Sequence, residues 1–349
     1  MRLLGEIKVK SEWDGLMIKE VLYDQLAFSR KGLATIKNEG DIRLNDISLY
    51  VTRRVQAGDT LAIYVPAEHS EEVPPEAIPV DIVYEDADIA IINKPAGIVV
   101  HPTRNYPSGT IANGLQHYWL NKGERYRFRP VNRLDLDTSG LVIVAKNQYS
   151  HHVLALQLAS GELKRNYQAV VHGSLPKSEG LIDAPLIRDP NHSVRRLVDF
   201  ADRAGLPAQT RYRVLRESAG FSIVELELLT GRTHQLRAHL AWLGAPLVGD
   251  DLYGGVKVAG VDWGGGGDGG ACEPGEAGLH AADAGEAGWL TGGAAAGVVS
   301  AQERQALHAW EIAFAHPTGA ARSAEARLSF QAPYPPDLAR FIRWQFPAP

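Results

Sequence analysis

The feature that most constrains this chain is residues 130–147, PVNRLDLDTSGLVIVAKN, which change abruptly from polar to apolar. The short β-branched run at 141–145, bounded by glycine and by charge, is typical of a strand buried on both faces. The polar half is rich in Asp, Thr, Ser and Gly, so its composition alone fits a solvated turn equally well. A polar cluster at the start of a buried strand is also a rigid place to mount a reactive group. Within it, Asp135 is the candidate reactive carboxylate.

The length and the local composition predict two domains. At 349 residues the chain is long enough for about two domains of ordinary size. Apolar residues at helical spacing, a helix that begins after Ser29 and two short strands predict a small α/β unit over residues 1–66. Residues 67–79 are acidic and proline-rich, which is typical of a linker. We therefore expect a second, larger domain over residues 80–349.

Strand and helix signals occur throughout both predicted domains. In the smaller unit we predict helices at 18–26 and 29–38 and strands at 42–44 and 60–65. In the larger domain we predict strands at 80–84, 89–92, 98–100, 141–145 and 164–171, a β-hairpin over 210–229, and helices at 150–159, 234–243 and 337–344.

The distribution of charge is uneven. The net charge of −5 by itself argues against a nucleic-acid partner, because phosphate binding needs a basic surface. Residues 255–302 hold one basic and six acidic residues, however, so the remaining chain has 35 of each sign. That segment also contains 15 Gly and 11 Ala among its 48 residues, which predicts a mobile surface insertion. The rest of the chain still permits a basic stripe that binds nucleic acid.

Other properties of the whole chain narrow its class. Hydrophobic residues make up 45% and charged residues 22%, the composition of a soluble globular protein. No apolar run approaches the roughly 20 residues that span a bilayer, and the N-terminal residues lack the apolar core of a signal peptide. A single cysteine, Cys272, excludes an intrachain disulfide framework and fits a reducing compartment. We therefore expect a cytoplasmic protein, and a monomer.

Four strings of the sequence resemble one family. RLDLDTSG at 133–140, with the apolar strand after it, resembles the active-site motif of the RluA/RluD-type RNA pseudouridine synthases. KRNYQAVVHG at 164–173 and TGRTHQLRAH at 230–239 are similar to two further signatures of that family. NKPAG at 93–97 resembles the string that precedes the active-site motif. One departure is Asn132, a position at which the family commonly has His.

The resemblance implies a fold as well as a family. The expected fold is α+β, with a mixed, mainly antiparallel central sheet and flanking helices, preceded by a small α/β domain. Residues 29–31 (SRK) and 38–46 (NEGDIRLND) resemble, more loosely, an S4-type RNA-binding domain. We therefore interpret residues 1–66 as an S4-like unit and residues 80–349 as the catalytic domain.

The implied activity is the isomerisation of uridine to pseudouridine in structured RNA, and no cofactor is implied. The resemblance makes Asp135 the catalytic carboxylate. Arg232 is expected to lie against it, keeping it ionised and orienting it through two parallel hydrogen bonds. Tyr167 is expected to present its aromatic face to the extruded uracil and its hydroxyl to C5. An S4-like domain favours large-subunit (23S) ribosomal RNA as the substrate.

A second set of residues is expected to contact the RNA rather than the reacting atoms. They are Arg133, Lys94, Arg30, Lys31 and Arg237. No metal site is expected, because His234 and His239 are five residues apart and one helical face would need a spacing of four. A phosphate-binding or metal-dependent hydrolase has no supporting cluster of residues.

Alternatives remain at the level of the protein and of single residues. A non-catalytic RNA-binding protein on a synthase fold is the competing interpretation, and Asn132 is the one feature that favours it. Lys94 is equally well explained as a turn lysine at a strand end. Without the resemblance, Tyr167 would be interpreted as a half-buried packing residue of a strand.

Overall fold

The computed structural model describes residues 1–65, 73–201, 205–218, 220–259, 300–302, 304–318 and 327–347. The N-terminal part forms a sheet of its own. Its strands are β1 (Arg2–Lys8), β2 (Asp41–Leu44), β3 (Ile47–Ser48) and β4 (Thr60–Val65). They pair antiparallel in the order β1–β4–β2–β3, which confirms the strands that were predicted here.

Helices pack on this small sheet. They are a short 3-10 helix (Ser11–Trp13), α1 (Ile18–Glu20), which continues as a π-helix over Val21–Gln25, and α2 (Arg30–Glu39). The Ser29 hydroxyl accepts a hydrogen bond from the Gly32 N–H at 3.0 Å, so the predicted cap of α2 is confirmed. The apolar residues used to predict the first helix are buried. The relation of this unit to S4 domains stays a prediction.

The remaining strands belong mostly to one large sheet. They are β5 (Asp81–Glu85), β6 (Ile89–Lys94), β7 (Arg129–Pro130), β8 (Ser139–Ala145), β9 (Lys164–His172), β10 (Glu179–Asp183), β11 (Leu186–Arg188), β12 (Arg196–Val198), β13 (Gln209–Ser218), β14 (Phe221–Leu228), β15 (Val258–Ala259), β16 (Ser300–Gln302), β17 (Leu307–Ala315) and β18 (Arg327–Gln331). Ten of them form the large sheet, in the order β10–β13–β14–β9–β17–β8–β6–β5, with β18 beside β17 and β7 beside β8. Among its pairs, β8–β17 is parallel and the others are antiparallel.

Strand β8 lies at the centre of the architecture, and all seven of its residues are buried. Val142 and Val144 pack in the cluster that contains Trp119, whereas Leu141 and Ile143 pack in the cluster on the other face. The prediction of a strand buried on both faces is therefore confirmed. At a full burial of about 1.5–3 kcal/mol per large aliphatic side chain, these residues make β8 a rigid support for the polar segment before it.

The helices of the large domain flank the sheet. They are α3 (Ile111–Asn121), α4 (Gln148–Ser160), α5 (Gln235–Trp242) and α6 (Pro336–Gln345), with a 3-10 helix at Asp251–Tyr253. The predicted helices and the hairpin turn between Ser218 and Phe221 are confirmed. The strand predicted at 98–100 is wrong. There the carbonyls of Val99 and Val100 accept the first N–H groups of α3 instead of those of a neighbouring strand.

Three contacts tie the N-terminal unit and the following segment to the large domain. The Phe28 ring stacks on the Tyr149 ring with centroids 4.3 Å apart, and the Tyr149 hydroxyl donates to the Leu26 carbonyl at 3.0 Å. Part of the expected linker lies outside the described residues. Its last part, 73–79, hydrogen-bonds to the start of α3, since the Asn113 side chain donates to the Pro74 carbonyl at 2.9 Å. The domain boundary itself stays a prediction.

The predicted insertion at 255–302 lies largely outside the described residues. The ends that are described form the antiparallel pair β15–β16, so residues 258–259 and 300–302 lie side by side. None of the helices in the described part of the chain is long and apolar enough to cross a membrane.

Candidate active site

Asp135 lies in the loop between β7 and β8, and this loop is fixed to β8 at its start. The Asn132 side chain is buried, donates to the Leu141 carbonyl at 3.1 Å and accepts from the Ile143 N–H at 2.8 Å. The Thr138 N–H then closes a turn onto the Asp135 carbonyl at 3.2 Å. Asn132, the departure from the family pattern, therefore anchors the loop through two hydrogen bonds to the strand backbone.

Lys94 lies beneath this loop, where no RNA can reach it. Its side chain is fully buried, and the ammonium donates to the carbonyls of Pro95, Ile98 and Leu136 at 2.8, 2.8 and 2.9 Å. Burial lowers the pKa of Lys94 to about 7, while the Asp137 and Asp135 carboxylates oppose this shift. The prediction that Lys94 contacts RNA is wrong, because its charge is used inside the protein to hold a carbonyl of the Asp135 loop.

The Asp135 carboxylate faces two side chains of α5. Its Oδ2 atom lies 3.7 Å from Nη1 of Arg237 and 3.8 Å from Nε2 of His234. These distances are longer than hydrogen bonds, so the interaction is electrostatic and leaves the carboxylate oxygens available to a substrate. The Asp135 side chain is 31% exposed, which gives it a path to the surface.

Arg237 is oriented by Asp250 and not by Asp135. Its Nε and Nη2 each donate to one oxygen of the Asp250 carboxylate at 2.7 Å, a bidentate pair. Asp250 is buried, and its hydrogen bond and charge raise the pKa of Arg237 despite the burial of the guanidinium. The pair leaves Nη1 of Arg237 free to point at Asp135, so a cation is held in place before any substrate arrives.

The expectation that Arg232 holds Asp135 is wrong. Its Nε donates to the Pro207 carbonyl at 3.1 Å, and its side chain is exposed at the rim of the pocket. The physical reason is the backbone between the two arginines. His234 has a left-handed conformation (φ +54°), and α5 begins directly after it, so Arg232 precedes the helix and Arg237 lies within it.

The proton on His234 can be assigned from its neighbours. The Tyr253 hydroxyl accepts from the Arg196 N–H at 2.8 Å and can donate its phenolic proton to Nδ1 of His234 at 3.2 Å, and the Asp135 carboxylate 3.8 Å from Nε2 favours a proton on that nitrogen. In the neutral imidazole the proton is then on Nε2, the atom that faces Asp135. Burial lowers the pKa of His234, which favours this neutral form. The ring therefore presents an N–H donor to the carboxylate.

Tyr167 projects from β9 into the same pocket. Its side chain is buried, and burial raises the pKa of its hydroxyl, with the Asp135 charge acting in the same direction. Below it, the Arg165 guanidinium donates to the carbonyls of Leu228 and Thr230 at 3.2 and 3.4 Å, which ties β9 to the segment that leads into α5. The structure thus brings Asp135, Tyr167 and Arg237 together around one pocket.

The other predicted site residues lie outside this group. Arg133 is exposed at the rim of the pocket, beside Asp135. Arg30 and Lys31 are exposed on the first turn of α2, in the N-terminal unit. His239 is buried between Thr210 and the Ala184 carbonyl, so it does not share a site with His234.

Sequence reasoning missed three residues that shape the site: His234, Asp250 and Tyr253. His234 was considered only as a metal ligand, and Asp250 and Tyr253 belong to the string GDDLYG, to which no role was given. A usable signal was present, because a buried arginine needs a carboxylate partner and α5 carries Arg237 among apolar residues. Which acidic residue supplies the carboxylate depends on a contact between two residues that are 13 positions apart in the sequence.

Comparisons with known proteins identify the family of this chain. Residues 88–242 match the family model described as RNA pseudouridylate synthase. The uncharacterised RNA pseudouridine synthase YjbO of Bacillus subtilis is 34% identical over 321 residues, which cover 91% of this chain and 96% of that protein. The ribosomal large subunit pseudouridine synthase D of Nitrosomonas europaea is 33% identical over 340 residues, which cover 97% of this chain and 87% of that protein.

The fold is also shared with a solved structure. Human RNA pseudouridylate synthase domain containing 4 superposes with a TM-score of 0.51 at 20% identity, covering 75% of this chain and 92% of that one. This likeness confirms the α+β fold with a mainly antiparallel sheet. Together with the extended identity to the bacterial proteins, it establishes that the chain belongs to the RluA/RluD-type RNA pseudouridine synthase family and is an isomerase that converts uridine to pseudouridine in RNA.

Proposed function

We propose that this enzyme isomerises uridine in large-subunit ribosomal RNA, with Asp135 as the catalytic carboxylate. The observation that carries the proposal is the position of the Asp135 carboxylate. It is partly exposed in a pocket, 3.7 Å from a guanidinium that is itself fixed by a buried carboxylate. A carboxylate that is accessible, oriented and next to a cation suits a nucleophile or a general base.

The reaction needs such a group at two points. The N1–C1′ bond of uridine breaks, the C5–C1′ bond forms, and the proton that leaves C5 is balanced by one gained at N1. Asp135 must be ionised to attack the nucleoside or to remove a proton. The Arg237 guanidinium and the neutral His234 ring both face Oδ2 of Asp135, so a fixed cation and an N–H donor lie next to the reacting carboxylate.

Tyr167 is assigned to the uracil ring. Because burial raises the pKa of its hydroxyl, the phenolate is disfavoured and Tyr167 is a poor general base on its own. Its aromatic face can instead stack on the extruded uracil, and its protonated hydroxyl can donate a hydrogen bond. Proton removal from C5 then falls to Asp135.

The exposed arginines at the rim are assigned to the RNA. The target uridine must leave its stack to reach Asp135, and we assign Arg133, which lines the same pocket, to the vacated space. Arg232, which does not contact Asp135, is also exposed at the rim of the pocket and is suited to a phosphate. Arg30 and Lys31 extend the proposed contact surface to the N-terminal unit, which we propose acts as an S4-like RNA-binding module.

The ribosomal substrate is supported by the relatives. Several are named ribosomal large subunit pseudouridine synthase D, at 38–42% identity over 202–229 residues and at 33% over nearly all of this chain. The direct test is to map pseudouridines in ribosomal RNA from cells with and without this protein, and from cells that express Asp135→Asn in its place. We expect the same large-subunit positions to lose pseudouridine in the deletion and in the variant.

A purified Asp135→Asn enzyme provides the test in vitro. Asn has the same shape but cannot act as a nucleophile or base, so single-turnover conversion should fall by at least about 10³-fold. RNA affinity and melting temperature should stay close to those of the wild type. Conversion within tenfold of the wild type would place the reactive carboxylate elsewhere in the chain.

A further inference from the structure

The backbone directly after Asp135 is held by two basic side chains. The Leu136 carbonyl accepts from Lys94 at 2.9 Å, and the next carbonyl, that of Asp137, accepts from Nη1 of Arg304 at 2.8 Å. Two consecutive peptide groups are thus fixed by a lysine and an arginine that come from different parts of the chain. The bond from the Arg304 guanidinium is charge-assisted, and such hydrogen bonds are roughly twice as strong as neutral ones.

Arg304 makes further contacts with the same segment. Its Nη2 donates to the Ser139 hydroxyl at 3.3 Å, and its Nη1 also donates to the carbonyl of Gln305 at 3.1 Å. One guanidinium therefore joins the end of the Asp135 loop to the chain that leads into β17. The planar donor fork of arginine allows this set of contacts, and lysine has no equivalent geometry.

Two neighbours of Arg304 hold adjacent side chains of the segment. The Gln305 amide donates to the Thr138 hydroxyl at 3.3 Å, and Ser139 is hydrogen-bonded to Nδ1 of His308 at 2.9 Å. Since Nε2 of His308 donates to the Ala332 carbonyl, Nδ1 of the neutral ring accepts the Ser139 proton. Every residue from Leu136 to Ser139 is thereby held by a side chain from a distant part of the sequence.

Asp337 of α6 fixes the orientation of Arg304. Its two carboxylate oxygens accept from Nε and Nη2 of Arg304 at 2.8 and 3.2 Å. The arrangement repeats the one at Arg237, where Asp250 holds two guanidinium nitrogens and leaves the third for Asp135. In both cases a carboxylate orients an arginine, and the remaining nitrogen serves the catalytic loop.

We propose that Arg304, oriented by Asp337, is a positioning residue for the catalytic step. It acts through the Asp137 peptide and the Ser139 side chain, and it sets where the Asp135 carboxylate lies relative to Arg237. This inference rests on the proposed role of Asp135. It makes the last helix, α6, a part of the active-site support, although no residue of α6 lines the pocket around Asp135.

The size of the effect follows from the geometry. A catalytic group has to be held within about 0.5 Å of its productive position, and a displacement of about 1 Å can cost 10²-fold in rate. Loss of one of several fixed contacts should cause a smaller shift than this. We therefore expect Arg304→Lys to lower the single-turnover rate at saturating RNA by about tenfold or more, with RNA affinity changed by less than about twofold.

Asp337→Asn is the second variant. Its side chain is partly exposed, so the protein should fold, and Arg304 would lose its orienting charge while keeping its own hydrogen-bond donors. The rate should fall in the same direction but less than for Arg304→Lys. The double variant should be no worse than Arg304→Lys alone, because both substitutions disturb one set of contacts.

Arg216→Lys is the matched control. Arg216 also ties the C-terminal end of α6 to the sheet, since its guanidinium donates to the carbonyls of Phe346 and Pro347 at 3.2 and 2.8 Å, but it has no contact with the Asp135 loop. We expect this variant to lower the melting temperature without changing the single-turnover rate. Wild-type rates for Arg304→Lys and Asp337→Asn, or an equal rate loss in Arg216→Lys, would overturn the positioning role.

A parallel measurement on Asp135→Asn separates the two hypotheses. If Asp135→Asn remains active, the proposed function of Asp135 fails, whatever the Arg304 variants do. If Asp135→Asn is inactive and Arg304→Lys keeps the wild-type rate, only the positioning role fails.

Discussion

Two regions hold Asp135, and they do so in different ways. On one side, α5 presents Arg237 and His234 to the carboxylate at 3.7 and 3.8 Å, without a hydrogen bond. On the other side, Lys94 and Arg304 make hydrogen bonds of 2.8–2.9 Å to the peptide groups that follow Asp135. The first region acts on the charge of the reactive group, and the second acts on the position of its backbone.

The difference shows how the site can hold the Asp135 loop rigidly and still leave the carboxylate able to react. A short hydrogen bond from an arginine to Asp135 would occupy the oxygens that must meet the substrate. Placing the short bonds on backbone carbonyls fixes the loop and leaves the carboxylate unoccupied. The α5 side then supplies a field that is already in place and does not need to reorganise during the reaction. Substitutions on the α5 side should therefore change chemistry, and those on the backbone side should change geometry and stability.

The largest effect is expected for Arg237→Lys. Lysine keeps the charge, but it cannot bind Asp250 through two nitrogens and direct a third at Asp135. Single-turnover conversion should fall by about 10²–10³-fold, which corresponds to about 3–4 kcal/mol of lost transition-state stabilisation. RNA affinity, measured in parallel, should change little, because the guanidinium is buried behind the carboxylate.

Arg232→Lys provides the matched comparison within the same string of sequence. Its side chain is exposed and hydrogen-bonded to the Pro207 carbonyl, so the single-turnover rate should stay within about threefold of the wild type. If Arg232→Lys lowered the single-turnover rate as much as Arg237→Lys does, Arg232 would have to take part directly in the chemical step.

The contrast between these two arginines shows where sequence reasoning succeeded and where it stopped. The buried strand β8, the hairpin over 210–229 and the start of α2 depend on local periodicity and caps, and all were predicted. The site was located by the string RLDLDTSG. The choice between Arg232 and Arg237 was wrong because it depends on the left-handed backbone at His234, which no periodicity reveals.

The second region, in which Lys94 and Arg304 bind the backbone after Asp135, was the least predictable part of the site. Lys94 and Arg304 are separated from the carbonyls that they bind by 42 and 167 residues of sequence, so local patterns carry no information on these pairs. Lys94 was assigned to RNA through the resemblance of NKPAG to the family string, and a turn lysine at a strand end was the alternative. Only the tertiary fold shows that its side chain turns inward to three carbonyls.

An effect of intermediate size is expected in the pH dependence of the free energy of unfolding. It comes from His308, which is hydrogen-bonded to Ser139 in the second region. Burial lowers the pKa of His308 to about 4, below the ordinary value of 6.5. Between these values the unfolded chain binds a proton that the folded protein does not bind. The free energy of unfolding should therefore fall as the pH decreases from 6.5 towards 4, by about 3 kcal/mol at most, and His308 should add no slope above 6.5.

His308→Gln tests this pH dependence. The amide can accept from Ser139 and donate to Ala332, so the hydrogen bonds are kept while the titration is removed. Urea unfolding at several pH values between 7.5 and 5 should give a shallower slope for His308→Gln than for the wild type. His101→Gln, at an exposed histidine, is the control and should leave the slope unchanged. Parallel slopes for wild type and His308→Gln would show that other groups cause the acid dependence.

The smallest effect is expected from removing the chain that connects the two regions. Asp250, which orients Arg237, precedes the glycine-rich segment, and Arg304 follows it. Because β15 and β16 pair with each other, residues 260–299 can be replaced by a short Gly-Ser turn that keeps both regions in register. This removes six acidic and no basic residues, so RNA binding at low salt should tighten, while the single-turnover rate should stay within about twofold.

The outcome decides whether the two regions are independent of that segment. A composition poor in large apolar side chains gives it little to bury, so the melting temperature should change by only a few degrees. Replacing the six acidic residues by Asn and Gln in the full-length chain is the matched control, since it removes the charge and keeps the length. If RNA affinity rises equally in both variants, charge is the cause. If the single-turnover rate fell tenfold in the shortened chain but not in the full-length control, the segment would be shown to support Asp250 or Arg304. The two regions around Asp135 would then depend on each other through this segment.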